Sequence, residues 1–431
     1  PIRVVIVGAG ARGNRVFAEL MATEDTGFRA VGVVEPHEGR REDFRRRYAV
    51  PIEHAFGSLE DFLAAPRFGD IVFICTPDVT HYAHARAVSE KGYDILLEKP
   101  IATTLPDCLA LVDVQHTYKN QIFVAHVLRY SPFFRAVKEI VDSGRLGAIR
   151  NIELHENIGH WHFAHSYVRG NWGREATSGP IILTKSSHDL DILHWVVGER
   201  VEAVVSYGGL EFFREENAPP EAAERCVACP LQDTCTYSAT RLYLNERDEW
   251  PFNVVAPPPD SPEARRREIE TGPYGRCVWK CDNDVCDDQI VLLRFASGIE
   301  ATLGLHALTD ENTRTLRILF HGAELTGNLV RGELSIAHFT GRPGVQEVEE
   351  VPLPALGHHG GGDLRLLHLL HEHLTEGKHA GLVTSLESSL PSHALAFLAE
   401  QSRKEGSVQV PVPEVFSPRA IERMARARRA G

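Results

Sequence analysis

The sequence predicts an α/β protein with two domains: a doubly wound parallel sheet first, then an α+β domain with a large mixed or antiparallel sheet. Apolar strands alternate with helical patterns up to about Ala125, and a glycine-rich turn follows the first strand. After His126 the pattern changes to longer strands, a hairpin and helices. Strand–helix alternation is typical of parallel sheets with helices on both faces. The length of 431 residues also fits two domains, expected at residues 1–126 and 127–431.

The first domain is predicted from five apolar runs separated by helical patterns. Val4–Val7 is continuously apolar, as expected for a parallel strand buried on both faces. The other predicted strands are Ala30–Val34, Ile71–Ile74, Ile95–Leu97 and Ile122–Ala125. Helices are predicted to about Ala22 and over Thr80–Lys91 and Leu105–Lys119.

The second domain mixes long strands with helices. Its predicted strands are Ile149–Ile158, the hairpin pair Val291–Phe295 and Ile299–Leu305, and Arg314–Phe320. Its predicted helices are Pro132–Ser143, His188–Val197, Asp363–Thr375, Ser385–Lys404 and a basic, solvated tail at Ile421–Arg429. An insertion at about 214–286 is rich in proline and holds six of the eight cysteines, so it needs an organising element of its own.

Composition narrows the functional class. Lys and Arg number 46 against 59 Asp and Glu, and the resulting charge of −13 argues against non-specific nucleic-acid binding. No apolar run approaches the roughly 20 residues that span a bilayer. The chain enters a strand pattern directly after Pro1, so no signal peptide is predicted. We expect a cytoplasmic protein that binds a small molecule and neither nucleic acid nor membrane.

The first strand leads into a dinucleotide-binding pattern, Gly8-Ala9-Gly10-Ala11-Arg12-Gly13. Gly8 permits the tight turn, Gly10 lets the backbone approach a pyrophosphate, and Gly13 lets the helix pack on the strand. The phosphates then lie at the helix N-terminus, where free N–H groups favour anions. Because strand, glycines and helix occur in this order, we predict a Rossmann domain in which this loop, including Ala11 and Arg12, binds the cofactor.

Glu35 ends the second predicted strand and is the expected acidic partner of the adenosine ribose. A carboxylate there accepts hydrogen bonds from the ribose hydroxyls and repels a 2′-phosphate, which favours NAD over NADP. Arg40 and Arg41 follow closely and could soften this preference, although they also fit a solvated loop.

Four segments in order resemble the glucose–fructose oxidoreductase/inositol dehydrogenase (Gfo/Idh/MocA) family. They are the strand ending in Glu98-Lys99-Pro100, the turn Thr76-Pro77 with His81, the segment His126–Pro132 with Arg129, and the helix start His188-Asp189-Leu190-Asp191. The resemblance covers nearly the whole chain apart from the insertion. It implies a sugar or cyclitol oxidoreductase whose cofactor contacts include Thr76, Pro77, His81, Glu98, Lys99 and Arg129. It also implies a homo-oligomer, a dimer or tetramer, formed through the C-terminal sheet.

Lys99 is the predicted proton acceptor. Oxidation of a secondary alcohol sends a hydride to nicotinamide and a proton to a base, and a lysine can act as that base when burial lowers its pKa. The alternative is an ordinary surface lysine at a strand end. By resemblance, His188 hydrogen-bonds the reacting hydroxyl, although it could simply cap its helix. The family commonly has an aspartate where this chain has Thr184, so Lys185 is a further candidate for substrate binding or proton transfer.

A segment at 157–172 is predicted to form the substrate wall because it combines aromatic rings with hydrogen-bonding groups. The wall candidates are His160, Trp161, His162, His165, Tyr167, Arg169 and Trp172, with Thr184 beside them. Trp and Tyr faces stack on the C–H side of sugars, and the local positive charge hints at an acidic sugar. A packed interface loop is the alternative.

The insertion cysteines predict a metal site. Cys226 and Cys229 form a C-x-x-C turn, and Cys235 follows as a third predicted ligand. The fourth ligand is Cys277, Cys281 or Cys286, and we expect Cys281. Zinc is favoured over an iron–sulfur cluster, and reduced thiols in a loop remain the alternative.

Three functions fit the sequence. The favoured one is an NAD(H)-dependent dehydrogenase acting on a secondary hydroxyl of a sugar, sugar acid or cyclitol. The second is a glycoside hydrolase that uses bound NAD⁺ for transient oxidation and elimination, with no net cofactor consumption. The third is a non-catalytic sensor of NAD and sugar, although a sensor has no need of a base at Lys99.

Overall fold

A computed structural model describes residues 1–247, 249–354, 358–377, 384–421 and 423 of the chain. Its first sheet has six strands, all parallel, in the order β3-β2-β1-β4-β5-β6. These strands are β1 (Ile2–Val7), β2 (Phe28–Val34), β3 (Ala55–Phe56), β4 (Ile71–Ile74), β5 (Asp94–Leu97) and β6 (Ile122–Val124). The strand order reverses between β1 and β4, and doubly wound sheets bind ligands in the crevice at this point. The predicted parallel sheet is confirmed.

Apolar side chains explain why these strands lie at the centre of the domain. Val5, Ile6, Val72 and Phe73 are fully buried, because helices cover both faces of the sheet. These helices are Glu19–Thr23, Glu38–Arg47, Leu59–Ala64, His81–Glu90 and Leu105–Tyr118. The helix after the glycine loop begins as a π-helix at Ala11–Ala18.

Three elements of this domain were absent from the sequence prediction, one of them the short helix Leu59–Ala64. The helix Glu38–Arg47 is almost entirely charged, with Phe44 as its one buried side chain, so it carries little apolar periodicity. Strand β3 is only two residues long. Both lie beside β2 and border the crevice at Glu35.

The second sheet has nine strands in the order β14-β13-β12-β11-β7-β10-β9-β8-β15. The pair β7–β10 is parallel, and the other described pairs are antiparallel. The strands are β7 (Ile149–Gly159), β8 (Val201–Gly209), β9 (Asp288–Phe295), β10 (Glu300–Thr309), β11 (Thr313–Phe320), β12 (Ala323–Asn328), β13 (Glu333–His338), β14 (Glu347–Glu350) and β15 (Val410–Pro411). The predicted mixed sheet is confirmed and is larger than the sequence indicated.

Helices cover one face of this sheet and leave the other open. Along β9, Val291 and Leu293 are buried beneath the helices Ser187–Val197 and Leu386–Lys404, while Ile290 and Leu292 are 38% and 43% exposed. Strict alternation of this kind is typical of a sheet with one covered face.

A C-terminal helix, Gly362–Glu376, returns to the first sheet. Its Leu366 and Leu370 belong to the same buried cluster as Val4 and Ile6 of β1. This packing brings Asp363, at the start of the helix, to the glycine loop. The cofactor domain is therefore completed by residues far along the chain.

The insertion has a small core of its own. Tyr243, Phe252 and Ile269 pack together, on and between the helices Ala239–Tyr243 and Pro262–Thr271. The predicted helical tail lies outside the described residues, except for Ile421 and Arg423. Among the described residues, no helix has the length and apolar character needed to cross a lipid bilayer.

Candidate active site

The glycine loop has the shape that a pyrophosphate requires. Gly8 adopts φ +97°, and a Cβ there would lie 2.6 Å from the carbonyl oxygen of Cys75. A Cβ on Gly13 would lie 2.1 Å from the carbonyl oxygen of Gly8, which explains why the helix packs so closely on the strand. A Cβ on Gly10 would meet nothing within 4 Å, so this glycine faces open space beside the exposed Ala11. The loop thus leaves room for phosphates at the start of the helix.

Arg12 holds three chain segments together behind this loop. Its guanidinium pairs with Glu98 at 2.6 Å and with Asp363 at 2.7 Å. The second carboxylate oxygen of Glu98 accepts the backbone N–H of Lys99 at 3.1 Å. Arg12 and Glu98 therefore fix the glycine loop against the end of β5, and Glu98 pairs with Arg12 instead of hydrogen-bonding the Lys99 ammonium.

Glu35 lies at the end of β2, where an adenosine ribose would approach. Its carboxylate is buried and accepts backbone N–H groups from Ala9 at 2.9 Å and His37 at 3.0 Å. Arg41 donates to the carbonyl oxygen of Glu35 at 2.7 Å. Glu35 thus ties the glycine loop to the β2 turn and presents a negative charge there.

Lys99 lies at the junction of the two domains. Its Nζ donates a hydrogen bond to the carbonyl oxygen of Thr184, which belongs to the second domain. Burial of the ammonium lowers the pKa of Lys99 to about 8, although the nearby Asp78 and Glu98 act in the opposite direction. A lysine with a pKa near 8 can exchange a proton close to neutral pH.

The turn after β4 lies beside Lys99. Both ring nitrogens of His81 lie within hydrogen-bond distance of carbonyl oxygens, those of Pro100 at 2.6 Å and Thr76 at 2.9 Å, so His81 links this turn to the end of β5. Pro77 precedes Asp78 and is exposed. Burial raises the pKa of Asp78 despite the charges of His81 and Lys99.

His188 is buried near the start of its helix, 7% exposed. Its ring contacts that of His126 at 5.6 Å between centroids. Burial, together with the charges of Arg129 and Lys99, lowers the pKa of His126 well below its usual value, so His126 is neutral at physiological pH. His126 lies close enough to Lys99 for the charge of that lysine to act on it.

Arg129 has a structural partner within the protein. Its guanidinium pairs with Asp191 through two hydrogen bonds of 2.6 Å, and both side chains are buried. The pair ties the segment between the domains to the helix that begins with His188. Whether Arg129 also contacts a cofactor stays a prediction.

A buried ion network surrounds Lys185 and was not predicted from the sequence. Lys185 pairs with Glu156 of β7 at 2.9 Å, and Arg314 of β11 pairs with both Glu156 and Asp189. Burial alone would raise the pKa of Glu156, but Arg314 and Lys185 outweigh it and lower that pKa. Glu156 and Arg314 come from segments with no motif, and Asp189 lies in the helix start at His188–Asp191, so only the fold brings the three together.

The predicted substrate wall divides into two parts. Trp172 donates from Nε1 to Asp78 at 3.1 Å. Burial, together with the nearby charges of Glu156 and Asp78, raises the pKa of Tyr167 well above its usual value. His162 bonds Asn312 at 2.8 Å, and burial with the nearby charge of Lys185 lowers its pKa well below the usual value. These side chains therefore belong to the surroundings of Lys99 and Lys185.

The other wall residues face the insertion. His165 bonds the Tyr243 hydroxyl at 2.9 Å and stacks on Tyr274, and burial lowers its pKa to about 3. Arg169 donates to the carbonyl oxygens of Arg276 and Tyr237. The ring of His160 contacts that of Tyr237. The hydrogen bonds of His165 and Arg169 therefore run to Tyr243, Tyr237 and Arg276 of the insertion and not to Lys99.

Trp250 completes the wall from the insertion, and the sequence prediction missed it. Its ring lies 4.7 Å from that of His162 and 5.9 Å from that of Trp161, measured between centroids. Trp250 is 37% exposed, which is unusual for so large an apolar ring. An isolated tryptophan in a proline-rich insertion gave no sequence signal for this position.

The structure does not support the zinc site predicted at Cys226, Cys229, Cys235 and Cys281. The described residues contain no group of three or more His, Cys, Asp or Glu side chains placed to hold a metal ion. Cys281 was the wrong choice for this cluster, because its thiol donates instead to the carbonyl oxygen of Cys277 at 3.2 Å. It is Cys277 that shares a cavity with Cys226, Cys229 and Cys235.

Curated relatives match about half of the chain. Oxidoreductase YteT of Bacillus subtilis (strain 168) is 27% identical over 243 residues, which is 54% of this chain and 56% of that protein. Inositol 2-dehydrogenase of Burkholderia multivorans (strain ATCC 17616 / 249) is 28% identical over 210 residues, which is 48% of this chain and 58% of that protein. The chain therefore spans a little over half the length of these relatives.

Solved structures with the same architecture match almost the whole chain. Levoglucosan dehydrogenase, in complex with NADH and levoglucosan, gives a TM-score of 0.70 at 18% identity and covers 96% of this chain and 100% of that one. The WlbA dehydrogenase from Bordetella pertussis, in complex with NADH and UDP-GlcNAcA, gives 0.64 at 18% identity and covers 96% of this chain and 99% of that one. At this identity the likeness shows the fold.

Two family models cover both sheets. One, described as oxidoreductase family, NAD-binding Rossmann fold, matches residues 2–126. The other, described as oxidoreductase family, C-terminal alpha/beta domain, matches residues 138–412. With the glycine loop, Glu98-Lys99-Pro100 and the mixed sheet in place, the chain belongs to the Gfo/Idh/MocA oxidoreductase family.

Proposed function

We propose that this protein is an NAD(H)-dependent dehydrogenase that oxidises a secondary hydroxyl of a polyhydroxylated ring, with Lys99 as the proton acceptor. The observation that carries the proposal is the half-buried Lys99 between the two domains, with its pKa lowered to about 8. A general base works best when its pKa lies near the working pH. The alternative of a surface lysine does not explain a bond to the carbonyl oxygen of Thr184 across the domain junction.

The cofactor site fits NAD(H) through residues already described. The N–H groups at Ala11, Arg12 and Gly13 offer an anion site, and Gly10 leaves the space it needs. The negative charge of Glu35 favours an unphosphorylated ribose, so we infer a preference for NAD(H) over NADP(H). Bound NAD⁺ supplies the hydride acceptor. Thr76, Pro77 and His81 shape the turn beside Lys99, where the nicotinamide end of the cofactor would lie.

The proton chemistry follows from the two lysines. Neutral Lys99 accepts the hydroxyl proton, and His188 orients that hydroxyl from the second domain. Lys185 is already paired with the carboxylate of Glu156 at 2.9 Å. We therefore assign Lys185 to hydrogen-bonding a substrate hydroxyl, with Lys99 alone as the base.

The charges of the site favour a neutral ring over an acidic sugar. Three cations, Lys99, Lys185 and Arg314, lie among three carboxylates, Asp78, Glu156 and Asp189. The wall histidine His162 is neutral, because burial lowers its pKa well below the usual value. Stacking faces at Trp161, Trp172 and Trp250, with Tyr167 behind them, suit the C–H surface of a sugar or cyclitol.

A substrate panel tests this proposal. Sugars, inositols, anhydrosugars, sugar acids and aryl glycosides are incubated with the protein and NAD⁺, and both NADH absorbance and phenol release are recorded. We expect NADH from a neutral ring substrate. Phenol release that needs NAD⁺ but gives no NADH would establish the hydrolase instead. Bound NAD⁺ with no reaction in either assay would leave the sensor as the function.

A further inference from the structure

The insertion reaches the first domain through its proline-rich run at 257–259. A Cβ on Gly39 would lie 3.0 Å from the carbonyl oxygen of Pro258, so the run contacts the start of the helix Glu38–Arg47 closely. This helix is almost entirely charged, and its one buried side chain is Phe44. Apolar packing alone therefore does not explain why a proline-rich run lies here.

A second contact lies beside the first. Tyr274 follows the insertion helix Pro262–Thr271, and burial raises the pKa of its hydroxyl. The charge of Arg40 acts against this shift, which places the guanidinium near the Tyr274 hydroxyl. Gly39 and Arg40 are the fourth and fifth residues after Glu35, where the adenosine ribose of the cofactor is expected. The insertion thus touches the first domain at the adenosine end of the proposed cofactor site.

On its other side the insertion is anchored to the second domain. The ring of Tyr274 stacks on that of His165, at 4.7 Å between centroids and 6° between planes. Arg169 Nε donates to the carbonyl oxygen of Arg276 at 2.7 Å. The ring of Trp250 lies 5.5 Å from that of His165, measured between centroids. The insertion therefore spans from the predicted substrate wall to the first domain.

An ion pair and a helix cap hold the proline-rich run in place. Asp260 follows the run directly, and its carboxylate oxygens accept from Arg265 Nε at 2.9 and 3.0 Å. Arg265 is only 3% exposed and also donates to the carbonyl oxygen of Asn245 at 3.1 Å. Ser261 accepts the backbone N–H of Ala264 at 3.1 Å and so caps the next helix. Because the run is fixed in this way, it opens only when the insertion moves or unfolds locally.

We propose that insertion residues 257–276 form a strap across the adenosine end of the cofactor site, and that NAD(H) enters and leaves only when this strap moves. With its ribose at Glu35, the bound dinucleotide lies between the first sheet and the strap. Pro258 and Tyr274 are then further residues of the cofactor site. Exchange is slow, because the contacts at Gly39 and Arg40 must break first. This inference rests on the proposed NAD(H) site and not on the reaction performed there.

A release experiment on the full-length protein tests the strap. The protein is loaded with NADH, freed of excess cofactor by gel filtration and mixed with a large excess of NAD⁺ while NADH fluorescence is recorded. We expect a release half-time longer than about one second, because ordinary loop motions are much faster than this. A shorter half-time would overturn the strap alone. A protein that binds no NADH would contradict the proposed cofactor site and the strap with it.

Paired glycine variants locate the contact. In Gly39→Leu the side chain cannot fit beside the Pro258 carbonyl oxygen, so release should become at least about 10-fold faster while association is not slowed. Gly322→Leu is the matched control, since a Cβ there has only the carbonyl oxygen of Leu146 within 4 Å, at 3.8 Å. It should release NADH at the wild-type rate. Unchanged release in Gly39→Leu, or slower association, would overturn the proposal, because the new side chain would then act on the cofactor groove and not on the strap.

Hydrogen exchange tests the same contact without any variant. Saturating NAD(H) should slow amide exchange in the wild-type segments 252–262 and 272–278, because a cofactor held beneath the strap restricts its opening. The segment 323–338 of the second sheet is the internal reference and should not change. Equal exchange in both insertion segments with and without NAD(H) would overturn the proposal.

Discussion

Two observations support Lys99 as the proposed general base. It lies where the two domains meet, and its pKa is lowered to about 8. We expect Lys99→Ala to lower kcat by about 10²–10⁴-fold, the usual contribution of a positioned acid or base. NAD(H) affinity should change little, because Arg12, Glu98 and the glycine loop hold the cofactor side of the site. Steady-state kinetics and a binding titration measure both quantities.

The matched control for this variant is Lys91→Ala, since Lys91 bonds the carbonyl oxygen of Leu63 away from the junction. It should leave kcat near the wild-type value. Wild-type turnover in Lys99→Ala would remove Lys99 from the mechanism and make Lys185 the candidate base.

The lowered pKa of Lys99 also predicts a pH dependence. Below its pKa of about 8 the amine is protonated and cannot accept a proton, so the rate of alcohol oxidation should rise as the pH passes through about 8. The reverse reaction needs the ammonium and should fall over the same range. Rate profiles in both directions check this; an oxidation rate that is flat from below to above that pH would contradict the assignment.

At the scale of elements, the insertion adds Trp250 to the predicted substrate wall, which the sequence placed at residues 157–172. We expect Trp250→Ala to raise KM by about 2–10-fold, because an aromatic contact is worth about 0.5–1.5 kcal/mol beyond burial. The kcat value and NAD(H) affinity should be nearly unchanged, since the ring of Trp250 contacts those of Trp161, His162 and His165, which do not belong to the glycine loop. Trp250→Phe keeps a stacking face and should have a KM close to the wild-type value. An unchanged KM in Trp250→Ala would show that Trp250 does not contact the substrate.

The elements also show what the sequence could predict. Long apolar strands and the glycine loop were predicted from local pattern, because each signal lies within a few neighbouring residues. The ion network of Glu156, Lys185 and Arg314 could not be predicted from the sequence. Pairing of β7 with β11 brings Glu156 next to Arg314, although the two are more than one hundred residues apart in the chain. Arg169 was expected at the substrate. Nothing in its own segment indicates that the carbonyl oxygens of Tyr237 and Arg276 would accept its hydrogen bonds.

At the scale of the whole molecule, we expect self-association through the open face of the second sheet. Tyr207, Ile290 and Leu292 are 56%, 38% and 43% exposed and lie together on β8 and β9. A contiguous apolar patch of this kind typically marks an interface. We expect a homo-oligomer, and Leu292→Asp should dissociate it at micromolar concentration. Light scattering measures the mass; a wild-type protein that stays monomeric at high concentration would contradict this prediction.

The positions of the site residues predict that both domains are needed for the proposed reaction. The glycine loop, Glu35 and Lys99 belong to the first sheet, whereas His188, Lys185 and Thr184 belong to the second. Arg12 bonds Asp363 of a helix that returns from the C-terminal part, so neither half completes the site alone.

Transfer of a labelled hydride tests the central claim most directly. The ring substrate found in the panel is prepared with deuterium on its carbinol carbons and incubated with the protein and NAD⁺, and the reduced cofactor is analysed by mass spectrometry. The account predicts one deuterium in each molecule of reduced cofactor formed, with formation slowed by the same factor as kcat in Lys99→Ala. Reduced cofactor without deuterium, or labelled cofactor formed at the wild-type rate by Lys99→Ala, would contradict it.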